Sequence, residues 1–576
     1  MGYFLKALGA VLTVAALLTA SGIARSQLVM AETHAEQLNS ANVEGLRLVF
    51  SFRTNAPGAL ASAPQEADGL LFLLTPFPHT LLALDPNRPD EPIRWRYTPN
   101  AETDAHGLAC CERMSNGPTL ANGRLYFTTL DGHVVAIDRS SGRVAWDTRP
   151  ASPARGETLT GAPFVADGKV YVGNSGDEFG ARGWIAALDE SSGNELWRKF
   201  STGPDADVGI GDDFRPHYSQ DRGKDLGVAT WPPLGWRHGG GGVSGPLIYD
   251  PATKLLFHGA GRPAPWNPDQ RTGENKWTSG LFARNAETGA ARWFNSVNPH
   301  DLFALGGTGP NLSFDTNWRG ADHQLLLHLD ANGYLYVIDR ASGEILDVQA
   351  FSASNATSGV DLKTGALRRD PAKATRGDAT IRDVCPGWPG AINGDPAISA
   401  DAKLLFIPVT RLCMDIEATN TSFIQGAAFI GAYLREKPPA DGQEGALVAW
   451  DFMAGRAAWT APERFPVVGG VLATQGGLVF YGTLDGVFKA LDARSGRLLW
   501  SFKTASGIVS APISYFGSDG KQHIAVVAGL GDNFDVSAIN GVDVRDATAA
   551  HGLANALRDL PPPADPSGVL YVFALP

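Results

Sequence analysis

Short apolar runs punctuated by turn residues set the rhythm of this chain. In Arg124-Leu-Tyr-Phe-Thr-Thr-Leu-Asp-Gly-His-Val-Val-Ala136, two β-rich stretches flank an Asp-Gly pair, which predicts strand, tight turn, strand. A phrase Ala-x-Asp-x-x-x-Gly-x-x-x-Trp then closes the unit with a second turn and a strand ending in Trp. Complete copies are Ala136-Asp138-Gly142-Trp146, Ala187-Asp189-Gly193-Trp197, Ala449-Asp451-Gly455-Trp459 and Ala490-Asp492-Gly496-Trp500. Ala283-Asn285-Gly289-Trp293 differs by one amide. Worn copies begin at Ala83-Asp85, reaching Trp95, and at Val337-Asp339-Gly343.

Neighbouring copies lie about 40–55 residues apart, or about twice that, the length of one four-stranded propeller blade. A lone blade cannot bury both faces, so blades must pack around a ring. Trp supplies a large apolar plate against the neighbour, Gly the positive φ of the turn, and Asp an acceptor for turn amides. Seven copies and one double gap predict an all-β, eight-bladed propeller. Leu46–Arg53 reads as a blade's last strand without its earlier ones, and Gly568–Ala574 as an earlier strand. The two are expected to share the blade that closes the ring. No Pro/Ser-rich linker interrupts the chain, so residues 27–576 are expected to form one domain.

Composition agrees and narrows the partners. With 67 Gly, 38 Pro and 19% charged residues, the chain suits a turn-rich β protein. A net charge of −12 without a basic stripe argues against nucleic acid and anionic membrane surfaces, and leaves room for a basic protein partner. Residues 1–26 read as a secretory signal: Lys6 precedes the apolar run Ala7 to Ala20, and small residues lead to Ala24-Arg25-Ser26. The run is too short to span a bilayer comfortably, and no Cys adjoins the cleavage region to carry a lipid. The expected location is the periplasm, not embedded in membrane, and four cysteines suit an oxidising compartment. Cys110 and Cys111 are adjacent. Cα atoms about 3.8 Å apart fall below the usual disulfide range, so either a strained vicinal bond or two buried thiols fits.

Ala109-Cys-Cys111, Gly161-Ala-Pro163, Gly173-Asn-Ser-Gly-Asp-Glu-Phe-Gly-Ala-Arg-Gly183, Pro263-Ala-Pro-Trp-Asn267, Asn275-Lys-Trp277, Pro299-His-Asp301, Asn332-Gly333, Cys385-Pro386 and Gly477–Gly482 form a collinear series. In it the chain resembles the periplasmic quinoprotein alcohol dehydrogenases, the methanol/ethanol dehydrogenase family that uses pyrroloquinoline quinone (PQQ) and calcium. The resemblance runs from about Val43 to the C-terminus and implies an eight-bladed propeller. It also implies a Cys110–Cys111 disulfide above the quinone, a Cys385–Cys413 bridge, cofactor contacts from Thr160, Ser175, Gly176 and Asn393, and a metal ligand at Glu178. No Cys-x-x-Cys-His is present, so no haem is expected, and an active enzyme would pass electrons to a soluble cytochrome c.

The remaining site positions depart from the family's. Ser244 stands where a Trp floors the quinone, with Gly242 in place of a threonine two residues earlier. Arg262 replaces a metal-binding Asn, and Ala304 replaces the catalytic aspartate. Asn116 and Ala331 replace basic residues, and Val468 a Trp. Lost stacking is worth roughly 1–3 kcal/mol and each lost charge-assisted hydrogen bond about 1.5–3 kcal/mol, all of one sign. A guanidinium at residue 262 repels a divalent cation and is expected to pair with Glu178 in its stead. Two functions follow: a periplasmic alcohol oxidoreductase, by family, with impaired chemistry; or a non-catalytic propeller that holds a small-molecule ligand or a protein partner. Redox signalling through Cys110–Cys111 is a third.

Overall fold

The computed structural model describes residues 37–56, 59–102, 105, 116–377, 379–530, 556–557, 559–565 and 567–576. The expected signal segment 1–26 lies outside them, as do Cys110 and Cys111. Eight four-stranded antiparallel sheets follow one another as blades 1 to 8. Blade 2 shows the pattern: Thr119–Ala121, Arg124–Thr128, Val134–Asp138 and Val144–Thr148, innermost to outermost. The eighth blade joins Ile513–Phe516, Gln522–Ala528 and Val569–Ala574 to the N-terminal strand Arg47–Arg53, which pairs with Val569–Ala574. Ring closure by the two chain ends is therefore as expected.

The double gap does not hide a blade. Between the copies at Val337 and Ala449 lie a hairpin (Thr357–Asp361 and Ala366–Arg369) and a three-stranded sheet of Thr380–Val384, Cys413–Ala418 and Ala432–Lys437. That sheet is inserted around blade 6 and tied by the Cys385–Cys413 disulfide. Seven phrases mark seven blades, and the eighth is the closing one. The segment from Thr202 to Trp236 connects blades 3 and 4 through short helices at Asp205–Val208 and Leu226–Ala229. No helix among the described residues is long and apolar enough to cross a membrane.

The phrase works between blades as well as within them. Five of the six phrase Trp residues lie on the turn glycine of the next blade: a Cβ on Gly142 would come within 2.7 Å of Trp95, on Gly193 within 2.6 Å of Trp146, and on Gly289 within 2.6 Å of Trp197. Trp293 over Gly343 and Trp459 over Gly496 repeat this at 2.7 Å. The indole N–H donates to a carbonyl three residues before that glycine, as in Trp146 Nε1 to Glu190 O at 2.9 Å and Trp197 Nε1 to Ala286 O at 3.1 Å. The worn copy in blade 5 has no Trp to offer blade 6, and Gln349 takes its place. Its Nε2 donates to Phe452 O at 2.7 Å, and its Oε1 accepts from Trp450 Nε1 at 2.7 Å. The Asp of each phrase accepts from the turn, as Asp138 does from Ser140 and Ser141, whose hydroxyls push its carboxyl down to about 2. Asn285 serves the same turn by accepting from the Glu287 and Thr288 amides.

Candidate functional site

The residues singled out in the sequence fall just before the innermost strands of successive blades. Thr160 and Gly161 precede Phe164–Ala166, Ser244 precedes Ile248–Asp250, Asn393 precedes Ala397–Ser399, and Val468 precedes Leu472–Ala473. Equivalent positions in a propeller ring the same end of the axis, which is how distant segments come to share one site. Thr158 and Ser175 exchange two backbone hydrogen bonds, and this bridge sets the Thr160 and Ser175 hydroxyl oxygens 2.6 Å apart. Gly176 follows at φ 118°, where a Cβ would lie 2.0 Å from Gly156 O, so no other residue fits. The chain then makes the tight turn Asp177–Phe179.

This turn carries two neighbouring acids, Asp177 and Glu178. Asp177 Oδ1 accepts from Gly242 N at 2.7 Å, and a Cβ on Gly242 or Gly261 would stand 2.8 Å or 2.7 Å from the Asp177 carboxylate. The glycine at the expected threonine position thus makes room for a buried acid. Arg262 Nε stands 4.0 Å from Asp177 Oδ2, and its Nη1 donates to Ala304 O at 3.4 Å. The guanidinium lies over the rings of Trp266 and Trp388, 5.0 Å and 5.8 Å from their centroids. Burial pushes the Asp177 carboxyl up to about 7, opposed by Arg262 and reinforced by the nearby Glu178 charge. Arg262 thus meets the carboxylate of Asp177, one residue before the Glu178 with which it is expected to pair. Glu178 is also buried, and its carbonyl accepts from Phe429 N at 2.6 Å.

Ala304 is 1% exposed and packs with Trp266, Phe303, Ala331 and Trp388 in one apolar cluster. Its φ of 55° is the left-handed conformation that Asn and Asp tolerate best, so the backbone still suits an aspartate. Asp301 is buried and occupied: its oxygens accept from Phe303 N at 2.9 Å and Gly306 N at 2.8 Å, holding the turn around Ala304. Asn393 is exposed, with Nδ2 donating to Thr410 Oγ1 at 3.1 Å. Ser244 is half-buried, its carbonyl 2.8 Å from where a Gly161 Cβ would be. Asn116 is exposed, and Val468 packs in a separate cluster with Phe465 and Val509.

Glu436 was not anticipated. It lies on the inward side of Ala432–Lys437 in phase with Ala432 and Leu434, 1% exposed, with neither carboxylate oxygen hydrogen-bonded, and burial pushes it up to about 8. The signal was an acid at an apolar beat of an alternating strand.

A divalent metal needs a convergent set of oxygen donors. Here Arg262 and Ala304 supply a cation and a methyl group, and no three His, Cys, Asp or Glu side chains among the described residues are grouped to hold an ion. The donor set does not fit a metal. For the quinone the fit is partial: the Thr160–Ser175 hydroxyl pair is assembled, whereas Ser244 offers no stacking plate.

A ring of eight such blades, with these residues at one end of its axis, belongs to a known class: the chain is a member of the family described as PQQ glucose/ethanol/alcohol dehydrogenase, β-propeller domain, whose model matches residues 33–358 and 460–524. It is 36% identical to a lanthanide-dependent methanol dehydrogenase of Methylacidiphilum fumariolicum, covering 94% of this chain and 89% of that protein. It is 32% identical to the quinoprotein ethanol dehydrogenase of Pseudomonas aeruginosa, covering 94% and 89%. Among solved structures, a europium-containing methanol dehydrogenase superposes with a TM-score of 0.90 at 35% identity, covering 94% of this chain and 95% of that one.

Proposed function

We propose that this chain is a periplasmic member of the quinoprotein alcohol dehydrogenases in which alcohol oxidation is impaired, and that its funnel serves to bind a ligand. The observation that carries this reading is Arg262, a permanent cation set between the Asp177 carboxylate and the Ala304 carbonyl. At an effective dielectric of 20, like charges about 4 Å apart repel by about 4 kcal/mol per unit charge, and a divalent ion doubles that. Ala304 contributes no base to take the alcohol proton, and Asp301 is committed to backbone amides. Cys110, Cys111, Thr160, Ser175, Gly176 and Asn393 remain the proposed cofactor contacts and Glu178 the proposed remnant of the metal site. Residues 1–26 are the proposed export signal and 27–576 the proposed single propeller domain.

The second reading is an active enzyme with PQQ and calcium that reduces a cytochrome c. It is favoured by relatives such as the methanol dehydrogenase [cytochrome c] subunit 1 of Methylobacterium organophilum, 37% identical over 94% of this chain. Absorption in the quinone band and dye-linked alcohol turnover, each with and without added PQQ and calcium, separate the two. Turnover by the wild-type protein refutes impairment. Absence of turnover, with metal binding regained in Arg262→Asn/Ala304→Asp, supports it.

A further inference from the structure

Beyond the funnel, a cavity of about 220 Å³ lies against the innermost strands of blades 6, 7, 8 and 1, which adjoin one another around the axis. Its walls are polar and apolar in about equal parts, the apolar part including Pro64, Ile398, Leu472 and Pro512. Its two charged lining residues, Glu66 and Asp395, are both acids. Glu66 accepts from Gly69 N at 2.8 Å, and Arg139, the cation that acts on it, is engaged by Asp68 at 2.5 Å. Asp395 is an exposed residue on the cavity's wall, and burial raises the Glu66 carboxyl. Tyr515 completes the lining. It is 7% exposed, and its hydroxyl has no hydrogen-bond partner.

Two carboxyl groups on the walls of one cavity favour a cation, and an unmatched buried hydroxyl leaves one hydrogen bond to be made. A bare metal ion is a poor match for two acids, since hard cations take six or more oxygen donors. An ammonium group on a short alkyl chain satisfies both features: three N–H donors for the carboxylates and the tyrosine oxygen, methylenes for Ile398 and the prolines. At roughly 30 Å³ per water, the cavity accommodates about seven waters, enough for a chain of about six heavy atoms. We propose that this axial cavity is a binding site for a short aliphatic amine, its ammonium held by Glu66 and Asp395 and capped by Tyr515.

The test is isothermal titration calorimetry of the full chain with 1,4-diaminobutane at fixed ionic strength, against 1,4-butanediol and sodium chloride. Saturable binding of the diamine, absent for the diol and the salt, is expected. Glu66→Gln and Asp395→Asn, checked for native melting, are each expected to weaken it at least tenfold, and Tyr515→Phe several-fold. Arg262→Asn in the funnel is expected to leave it unchanged. Binding that survives Glu66→Gln/Asp395→Asn, that the diol or salt reproduces, or that only Arg262→Asn alters overturns the assignment, as does the absence of binding to wild type.

Discussion

Replacing Gly193 by Ala tests the docking of blades on one another. Gly193 has φ 75°, and an added Cβ would stand 2.6 Å from Trp146 Cε3 and 2.7 Å from Thr148 Oγ1. Neither neighbour can withdraw freely, since Trp146 is 8% exposed and donates to Glu190 O, and Thr148 Oγ1 donates to Gly193 O at 2.9 Å. Two costs add: about 1–2 kcal/mol for an L-residue in the left-handed region, and about 1–3 kcal/mol for overpacking. Gly168 isolates the first. Its φ is 71° and a Cβ there meets nothing within 4 Å, so Gly168→Ala carries only the backbone cost. Unfolding entropy of about 2.1 cal/mol/K per residue over 576 residues is about 1.2 kcal/mol/K, so the extra 1–3 kcal/mol corresponds to about 1–3 °C. Scanning calorimetry of the two variants at one scan rate reads this difference. Equal melting temperatures would show that the indole does not hold the next blade by contact with its turn, and the account of the repeat would fail.

Three further outcomes are expected. Gln349→Ala strands Phe452 O and Trp450 Nε1, and should cost about 2–4 kcal/mol by denaturant titration, although Gln349 is not itself a residue of the repeat phrase. His258 is buried and accepts from Arg284 Nε at 2.9 Å; burial, helped by that cation, pushes it down to about 3. The unfolded chain takes up this proton near pH 6.5 and the folded chain does not, so stability present above 6.5 is lost as pH falls towards 3; His258→Gln should flatten the melting profile between pH 6.5 and 4. Glu436 works in the opposite sense: its stability is full below the ordinary carboxyl value and lost as pH rises to about 8. Glu436→Met should therefore raise melting at pH 9 by an amount equivalent to about 1–3 kcal/mol, and by less at pH 5.

The repeat was legible because each of its residues performs a local task that a single strand-turn-strand unit requires. Asp138 caps its own turn and Gly142 bends it, and both tasks leave a fixed spacing in the sequence. Gln349 was not legible, because an amide that does the work of an indole from two residues further along breaks that spacing. At the site, the sequence marked Arg262 and Ala304 as the altered positions and the structure brings them within hydrogen-bonding reach of each other. It did not single out Asp177 as an acid that meets the arginine. The place of Asp177 beside Arg262 depends on a short turn and on two glycines, Gly242 and Gly261, distant in sequence. The inserted sheet bearing Glu436 was hidden for a related reason: it occupies a gap that repeat counting treats as blank.

The pairing of Arg47–Arg53 with Val569–Ala574 has a consequence for how the molecule comes into being. The first strand made is the edge to which the last must attach, so seven blades stand as an unlatched arc until synthesis is complete. Throughout that interval the two ends of the arc expose the apolar faces of blades 1 and 7 that the eighth blade covers. A protein latched in this way reaches its final shape only after its whole length has emerged on one side of any membrane it crosses.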